Sequence, residues 1–335
     1  MIKVGIIGYG HWGPNLVRAF HTAAGSKVVV VADARPERQA ALLEKYPDIE
    51  VCDDGLALIK RPDVDAVVIA TPTYTHYNLA KLAIEHGKHL LVEKPLTNVA
   101  SEANDLVELS ERFGLTLMVD HILLYTGVAQ KMAELVQQGA IGTLRYYDAT
   151  RYAFGLFQPD VNVLWDLAPH DIAVMLHLQP ERPVSVNAIG TCHTGNGIEN
   201  HAHLTINYAS GFVATFRCSW SVPYKLRLTL VGGDKGVMSW DDMLPEEKLR
   251  VYDCNFDHQV IEAGKRISVQ YNQAGYSVPT LDPTEPLMAL ANDFAYAITN
   301  KVAPQSSGAL GAEVVKILEA AELSIKNQGK AINLH

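Results

Sequence analysis

The first third of the chain alternates short apolar runs with stretches of helical period. Val4 to Ile7, Lys27 to Ala32 and Ala66 to Ala70 are nearly continuous apolar runs. That is the pattern of parallel strands buried on both faces. His89 to Val92 and Thr116 to Val119 extend the series. Between them, Asn15 to Ala23, Pro36 to Tyr46, Thr75 to Glu85 and Ser101 to Phe113 read as helices, with Pro36 in a first turn and Gly87 past an end. Strands alternating with helices predict an α/β domain with a doubly wound parallel sheet.

The texture changes after about residue 120. Val128 to Gln138 reads as a helix stopped by Gly139, Leu144 to Tyr152 as a strand, and Trp165 to Leu178 as one helix. Val184 to Gly190, Ala202 to Tyr208, Phe212 to Trp220 and Leu226 to Val231 then follow as strands separated by Gly, Asn and Asp. Strand after strand with tight turns predicts a largely antiparallel open sheet in an α+β domain. Glu285 to Asn300 and Gly311 to Asn327 read as helices. No repeat or linker-like tract interrupts the chain. The expected domains are residues 1–121 and 122–335, with a helix at about 305–327 packing back near the first domain. An extensive shared interface is expected, with a ligand cleft between the two. The sheet has no evident helices for its far face, which predicts a homodimer or homotetramer through that surface.

Composition narrows the partners. The formal charge is −9 and there is no basic block, so nucleic acid and anionic membrane surfaces are poor partners. Cys52, Cys192, Cys218 and Cys254 are too dispersed for a disulfide framework or a CxxC metal site and read as free thiols. No run approaches the roughly 20 apolar residues of a membrane span. The opening MIKVGIIGYG is too short an apolar stretch for a secretory leader. A cytoplasmic location is expected.

The chemistry begins where the first strand ends. Gly8-Tyr9-Gly10-His11-Trp12-Gly13 is a GxGxxG loop between a strand and a helix. Gly8 suits the tight turn, Gly10 the backbone's approach to a diphosphate, and Gly13 close helix packing. The helix N-terminus offers free N–H groups to that diphosphate. Asp33, about 20 residues on at the end of the second strand, suits the adenosine ribose hydroxyls. Its charge favours NAD over NADP, while the nearby Arg35 suits a 2′-phosphate. Thr71-Pro72-Thr73-Tyr74-Thr75-His76 follows the third apolar run, at a strand end where ligands of such sheets bind. Thr73 or Thr75 also suits an N-cap for the next helix. The first domain is thus expected to be a Rossmann domain binding NAD.

Glu93-Lys94-Pro95, closing the next strand, adds a further pattern. With the glycine loop and the TPxxxH segment it resembles the glucose–fructose oxidoreductase, inositol dehydrogenase and rhizopine-catabolism (Gfo/Idh/MocA) family over essentially the whole chain. The resemblance implies that Lys94 hydrogen-bonds the reacting hydroxyl and the nicotinamide ribose, and that the Lys94–Pro95 peptide is cis. It extends to Trp165-Asp166-Leu167-Ala168-Pro169-His170-Asp171, a DxGxHxxD-like segment with alanine at the usual glycine. Asp166 and His170, four apart, share a face on one helical turn. Histidine suits the base that takes the hydroxyl proton. The lysine ammonium suits a developing alkoxide. Asp166 suits orienting the sugar or tuning His170. The expected cofactor contacts also include Glu93, His121 and Trp165.

Phe157 to Trp165, with Asp120 to Tyr125, resembles members of the family that act on nucleotide sugars, above all those that oxidise C3 of UDP-N-acetylglucosamine ahead of an aminotransferase in lipid A or surface-polysaccharide synthesis. Expected substrate contacts are Lys94, Tyr125, Asn162, Asp166 and His170, with Arg151, Lys225 and Arg227 for the diphosphate. Tyr125 equally suits packing, and the three cations equally suit a solvated sheet face. His193, His201 and His203 lack carboxylates or cysteines at zinc spacing, so no metal is expected. The alternatives are an inositol or free-sugar dehydrogenase, and a non-catalytic NAD- or sugar-responsive regulator. A regulator has no need of the Lys94–His170 pair.

Overall fold

The computed structural model describes residues 1–155, 157–261 and 266–334. The chain opens with β1 (Ile2–Ile7), α1 (Gly13–Thr22), β2 (Ser26–Ala32), α2 (Pro36–Lys45), β3 (Glu50–Cys52), α3 (Gly55–Ile59) and β4 (Ala66–Ile69). It continues with α4 (His76–Glu85), β5 (His89–Val92), α5 (Ala100–Phe113) and β6 (Leu117–Val119). These six strands form a sheet in the order β3-β2-β1-β4-β5-β6, and every pair is parallel. Ile6, Val28, Val30, Val67, Val68, Leu90 and Leu91 are fully buried in it. Each such side chain contributes about 1.5–3 kcal/mol by leaving water. The winding reverses between β1 and β4, so their carboxyl ends flank the crevice where ligands of open α/β sheets bind.

The rest of the chain forms α6 (Gly127–Gln137), β7 (Leu144–Tyr152), α7 (Val163–Leu167), α8 (Pro169–Leu178), β8 (Pro183–Thr191), β9 (His201–Tyr208) and β10 (Val213–Ser219). It goes on through β11 (Leu226–Gly233), β12 (Gly236–Asp241), β13 (Leu249–Ile261), β14 (Arg266–Ser277), α9 (Pro286–Asn300), α10 (Gly308–Lys326) and β15 (Ile332–Asn333). Among the described residues the second sheet runs β14-β13-β12-β11-β7-β10-β9-β8-β15. Its β7–β10 pair is parallel and the others are antiparallel.

Two compact units result: residues 1–126 with 284–319, and residues 127–283 with 320–335. A division in chain order at 121/122 would leave residues 284–319 in the second domain, but they belong to the first unit. The reason is packing. Phe294 of α9 meets Phe20 of α1 edge-on, with ring centroids 5.8 Å apart. On α10, a Cβ at Gly308 or Gly311 would fall 2.6 and 2.4 Å from Leu117 and Val119, so glycine there lets the helix lie on β6.

In the second unit, strand alternation separates the sheet's two faces. Tyr147, Ala149, Leu204, Ile206, Phe216 and Trp240 are buried on one, where Asp171 of α8 pairs with Arg151 and Met175 accepts the Tyr208 hydroxyl. The opposite face carries an Arg217–Asp148 ion pair, the His201–His203 contact and an Asn207–Asn187 hydrogen bond. Its exposed apolar members include Tyr146 and Ile189. The far face is therefore more polar than the sequence pattern suggests.

The expected single helix Trp165–Leu178 is two helices, α7 and α8, that meet at Ala168. Pro169 causes the break, because it has no N–H for the Trp165 carbonyl and its ring crowds that carbonyl. Asp166 and His170 therefore lie on successive helices rather than on one regular turn.

Candidate active site

The glycine loop is built for close approach. Gly8 has φ +99°, and a Cβ there would fall 2.4 Å from the Ala70 carbonyl oxygen. A Cβ on Gly13 would fall 2.4 Å from the Gly8 carbonyl oxygen, so helix α1 and the loop touch backbone to backbone. A Cβ on Gly10 would meet only the Arg35 guanidinium, at 3.7 Å. That backbone stays open to a ligand, and no side chain caps the start of α1 at Trp12. Uncapped amides beside an open glycine backbone fit the diphosphate of NAD. Around the loop, Tyr9 is buried and His11 exposed.

Asp33 lies at the end of β2 with its carboxylate almost wholly engaged. It accepts the Tyr9 amide at 2.8 Å and the Arg35 amide at 3.0 Å. Arg35 Nε and Nη2 add bonds at 2.9 and 2.8 Å. The Arg35 guanidinium, above all, holds the Asp33 carboxyl down at about 2. A carboxylate offers about four lone-pair positions, so ribose hydroxyls compete with Arg35 for this acceptor. Arg35→Ala is expected to weaken NADP binding about tenfold or more while NAD binding holds or tightens, because a charge-assisted contact to a 2′-phosphate is lost. Titration of both cofactors checks this. Equal losses for the two would show that Arg35 does not discriminate.

The TPxxxH segment works differently from the sequence expectation. Thr75 has helical dihedrals and caps no amide. Its hydroxyl donates to the Pro72 carbonyl at 2.8 Å and meets the Thr71 hydroxyl at 2.6 Å. Thr73 opens the same short turn and caps nothing. His76 is buried, with Nδ1 3.0 Å from the Pro95 carbonyl oxygen and Nε2 2.9 Å from that of Thr71. Burial pulls its pKa down against those hydrogen bonds. The ring ties the Thr71 turn to the Glu93-Lys94-Pro95 turn, and both nitrogens are committed to backbone.

Lys94 follows β5 and precedes a cis peptide to Pro95. Its amide donates to Glu93 Oε2 at 2.8 Å. On the neighbouring strand end sits Asp120, whose amide donates to the Val92 carbonyl at 2.8 Å. Asp120 Oδ2 accepts the Trp12 indole N–H at 2.9 Å, which ties the glycine loop to the end of β6. Burial raises the pKa of Glu93 well above the usual carboxylate range, and the Asp120 charge adds to this. Burial raises Asp120 as well. His121 is buried beside them. Its pKa is pushed down to about 3, by burial first and by the Lys94 charge second, so it stays neutral and is no base at working pH. Tyr125 is buried, donates to Asp293 at 2.6 Å and accepts the Ser306 amide at 3.2 Å. Its hydroxyl serves the packing of the first unit.

In the second unit the proton-transfer candidates sit at the α7–α8 junction. Asn162 caps α7, its Oδ1 accepting the Leu164 and Trp165 amides at 3.1 and 3.4 Å. The Trp165 indole donates to Glu322 at 3.0 Å. Asp166 accepts the indole N–H of buried Trp220 at 2.9 Å. His170 follows Pro169 in the first turn of α8 and is half-buried.

The expected diphosphate cations are distributed unevenly. Arg151 makes a two-point ion pair with Asp171 at 2.6 and 2.7 Å, and the two side chains are only 12% and 4% exposed. That guanidinium is a structural cation. Arg227 pairs with Asp242 at 3.2 Å. Lys225 is exposed and precedes β11 rather than sharing a strand face with Arg227. Among the described residues no group of three ligating side chains is suited to a metal, and no helix is long and apolar enough to cross a membrane.

Asp120, Trp220, Asp171 and Glu322 complete these networks and were not marked as partners by the sequence. Asp120 stands one residue beyond the β6 run, matching Glu93 beyond β5, and opens the Asp120 to Tyr125 segment.

Residues 2–121 match the oxidoreductase family with an NAD-binding Rossmann fold, and residues 129–239 match the GFO/IDH/MocA C-terminal domain. The UDP-N-acetylglucosamine 3-dehydrogenase of Acidithiobacillus ferrooxidans is 33% identical over 227 residues, which are 65% of this chain and 67% of that protein. The scyllo-inositol 2-dehydrogenase (NADP(+)) IolW of Bacillus subtilis is 26% identical over 224 residues, 62% of this chain and 60% of that protein. The solved structure of UDP-N-acetylglucosamine 3-dehydrogenase GnnA from Acidithiobacillus ferrooxidans has a TM-score of 0.81 at 25% identity, covering 97% of this chain and 98% of that one. The chain belongs to the Gfo/Idh/MocA family of NAD-binding oxidoreductases.

Proposed function

We propose that this oxidoreductase oxidises a secondary hydroxyl of a nucleotide sugar to a ketone, with C3 of UDP-N-acetylglucosamine as the reacting carbon. The observation that carries the reading is the similarity, in sequence and in fold, to a protein of that activity, joined to the EKP and DxGxHxxD-like segments that carry Lys94 and His170. Oxidation removes a hydride from carbon and a proton from oxygen. NAD, when bound, supplies the hydride acceptor. The Lys94 ammonium stabilises negative charge on the reacting oxygen. An imidazole nitrogen of His170 takes the hydroxyl proton. Asp166, held by the Trp220 indole, accepts hydrogen bonds from neighbouring sugar hydroxyls. A 3-keto sugar is a substrate for amination, which couples the reaction to an aminotransferase. On the same reading the chain self-associates through the uncovered face of its second sheet.

A second reading has one observation in its favour. Arg151 and Arg227 are already paired with Asp171 and Asp242, which leaves a diphosphate fewer partners and suits an inositol or free sugar.

The two separate in a substrate panel followed by nicotinamide absorbance, each reaction run with a carbonyl trap. The expected result is reduction of NAD with UDP-N-acetylglucosamine and not with inositols or free sugars, lowered about 10²–10⁴-fold by His170→Ala. Reduction with inositol alone would replace the substrate and keep the mechanism.

A further inference from the structure

We propose that Glu93 and Asp120 share a single proton and form a hydrogen-bonded chain from the glycine loop to the backbone of Lys94, so that both act as positioning residues for that lysine. The inference rests on the function proposed above and concerns how its lysine is held.

The register of the sheet makes the pair. Val92 of β5 lies opposite Val119 of β6, so Glu93 and Asp120 are the next in-register neighbours. Adjacent strands stand about 4.8 Å apart and in-register side chains share a face. Two carboxyl groups held side by side, with Asp120 buried and Glu93 half-buried, disfavour double ionisation, so one keeps its proton and donates to the other. The surrounding bonds say which one. The Trp12 indole donates to Asp120 Oδ2 at 2.9 Å, which favours the charged form at Asp120. Glu93 uses Oε2 to accept the Lys94 amide at 2.8 Å and has its other oxygen for the proton. The Asp120 carboxyl acts directly on that of Glu93, and Asp120 Oδ1 is buried with no hydrogen-bond partner of its own among the described residues, which leaves it to accept the shared proton. The chain therefore runs from the Trp12 indole to Asp120, from Glu93 to Asp120 through the shared proton, and from the Lys94 amide to Glu93.

Lys94 and Tyr125 are the other titratable groups whose charges act with this pair. His121, next in the chain, is neutral. Burial raises both Glu93 and Asp120, and amide variants of the two assign a protonated-carboxyl band to this pair.

Infrared spectroscopy of the whole protein at pH 8 in heavy water reads the proton without any substrate. The expected result is a buried protonated-carboxyl band in the wild type, absent from both Glu93→Gln and Asp120→Asn. Turnover reads the positioning. Asp120→Ala breaks the chain and is expected to lower kcat about tenfold or more, with the sugar KM within about threefold. Asp120→Asn can still accept from Trp12 and donate to Glu93, and is expected to restore most of that loss. Absence of the band in the wild type, or its survival in both amide variants, would overturn the shared proton. Equal kcat for the Ala and Asn variants would overturn the positioning role. If no sugar were turned over, the functional reading would fail while the infrared result still decided the pair.

Discussion

Lys94→Ala is expected to lower kcat with the proposed sugar about 10²–10⁴-fold, while the dissociation constant for NAD stays within about threefold. On the proposed reading the nucleotide is held mainly by parts the substitution leaves alone. These are the Gly8–Gly13 loop, the start of α1 and the Asp33 carboxylate. The ammonium group acts on charge that develops only as the hydroxyl loses its proton and hydride, so its loss falls on turnover rather than on cofactor binding. Lys94→Arg should not restore the rate, because a planar guanidinium is bulkier and spreads its charge. Steady-state kinetics beside a fluorescence titration of NAD makes the measurement. A proportionate loss of NAD affinity would make Lys94 a cofactor ligand first.

The second large effect is on stability. Arg151→Ala or Asp171→Ala is expected to destabilise the second unit by about 3–5 kcal/mol, because either change leaves an uncompensated charge in a buried site. The pair's geometry supports a value in that range. Two short bonds join Arg151 to Asp171, and both side chains are nearly shielded from solvent. Tyr147 and Cys218 pack within reach of the same charges. Denaturant unfolding of the single variants and of a double Arg151→Met/Asp171→Leu variant checks this. The double change is expected to cost much less than either single change, since it buries no charge. Singles that unfold like the wild type would return Arg151 to the list of cations free for a diphosphate.

The parallel half of the fold was legible because its strands are buried on both faces and so print continuous apolar runs. His89–Val92 and Leu144–Tyr152 appear with the expected bounds. Glu50–Cys52 was missed because it is three residues long at a sheet edge, and an edge strand needs no apolar run. Leu249–Ile261 was missed although Tyr252, Cys254, Phe256 and Val260 alternate with Asp253, Asn255, Asp257 and Gln259 as the two faces of a strand do. The stretch Trp165–Leu178 is helical as its pattern predicts, and Pro169 stands in a first turn, that of α8, with α7 ending just before it.

Among the site residues, those set by local chain geometry were readable. Gly8, Gly10, Gly13 and Asp33 stand where the loop and the following strand require them. Residues set by long-range register were not. That Arg151 would meet Asp171, that Trp12 would reach Asp120 and that Trp220 would hold Asp166 depends on elements folding together from distant parts of the chain. For the same reason His76 and Tyr125 looked like ligand contacts in sequence, yet their polar atoms face backbone and Asp293.

The most direct test of the proposed reaction follows one atom. UDP-N-acetylglucosamine carrying deuterium at C3 would be incubated with the protein, NAD and a carbonyl trap, and the reduced nicotinamide analysed by mass spectrometry. One deuterium in the reduced cofactor is the result expected of a C3 dehydrogenase. Reduced cofactor without deuterium would place the oxidation at another carbon, and no reduction with this sugar beside reduction with an inositol would contradict the nucleotide-sugar assignment.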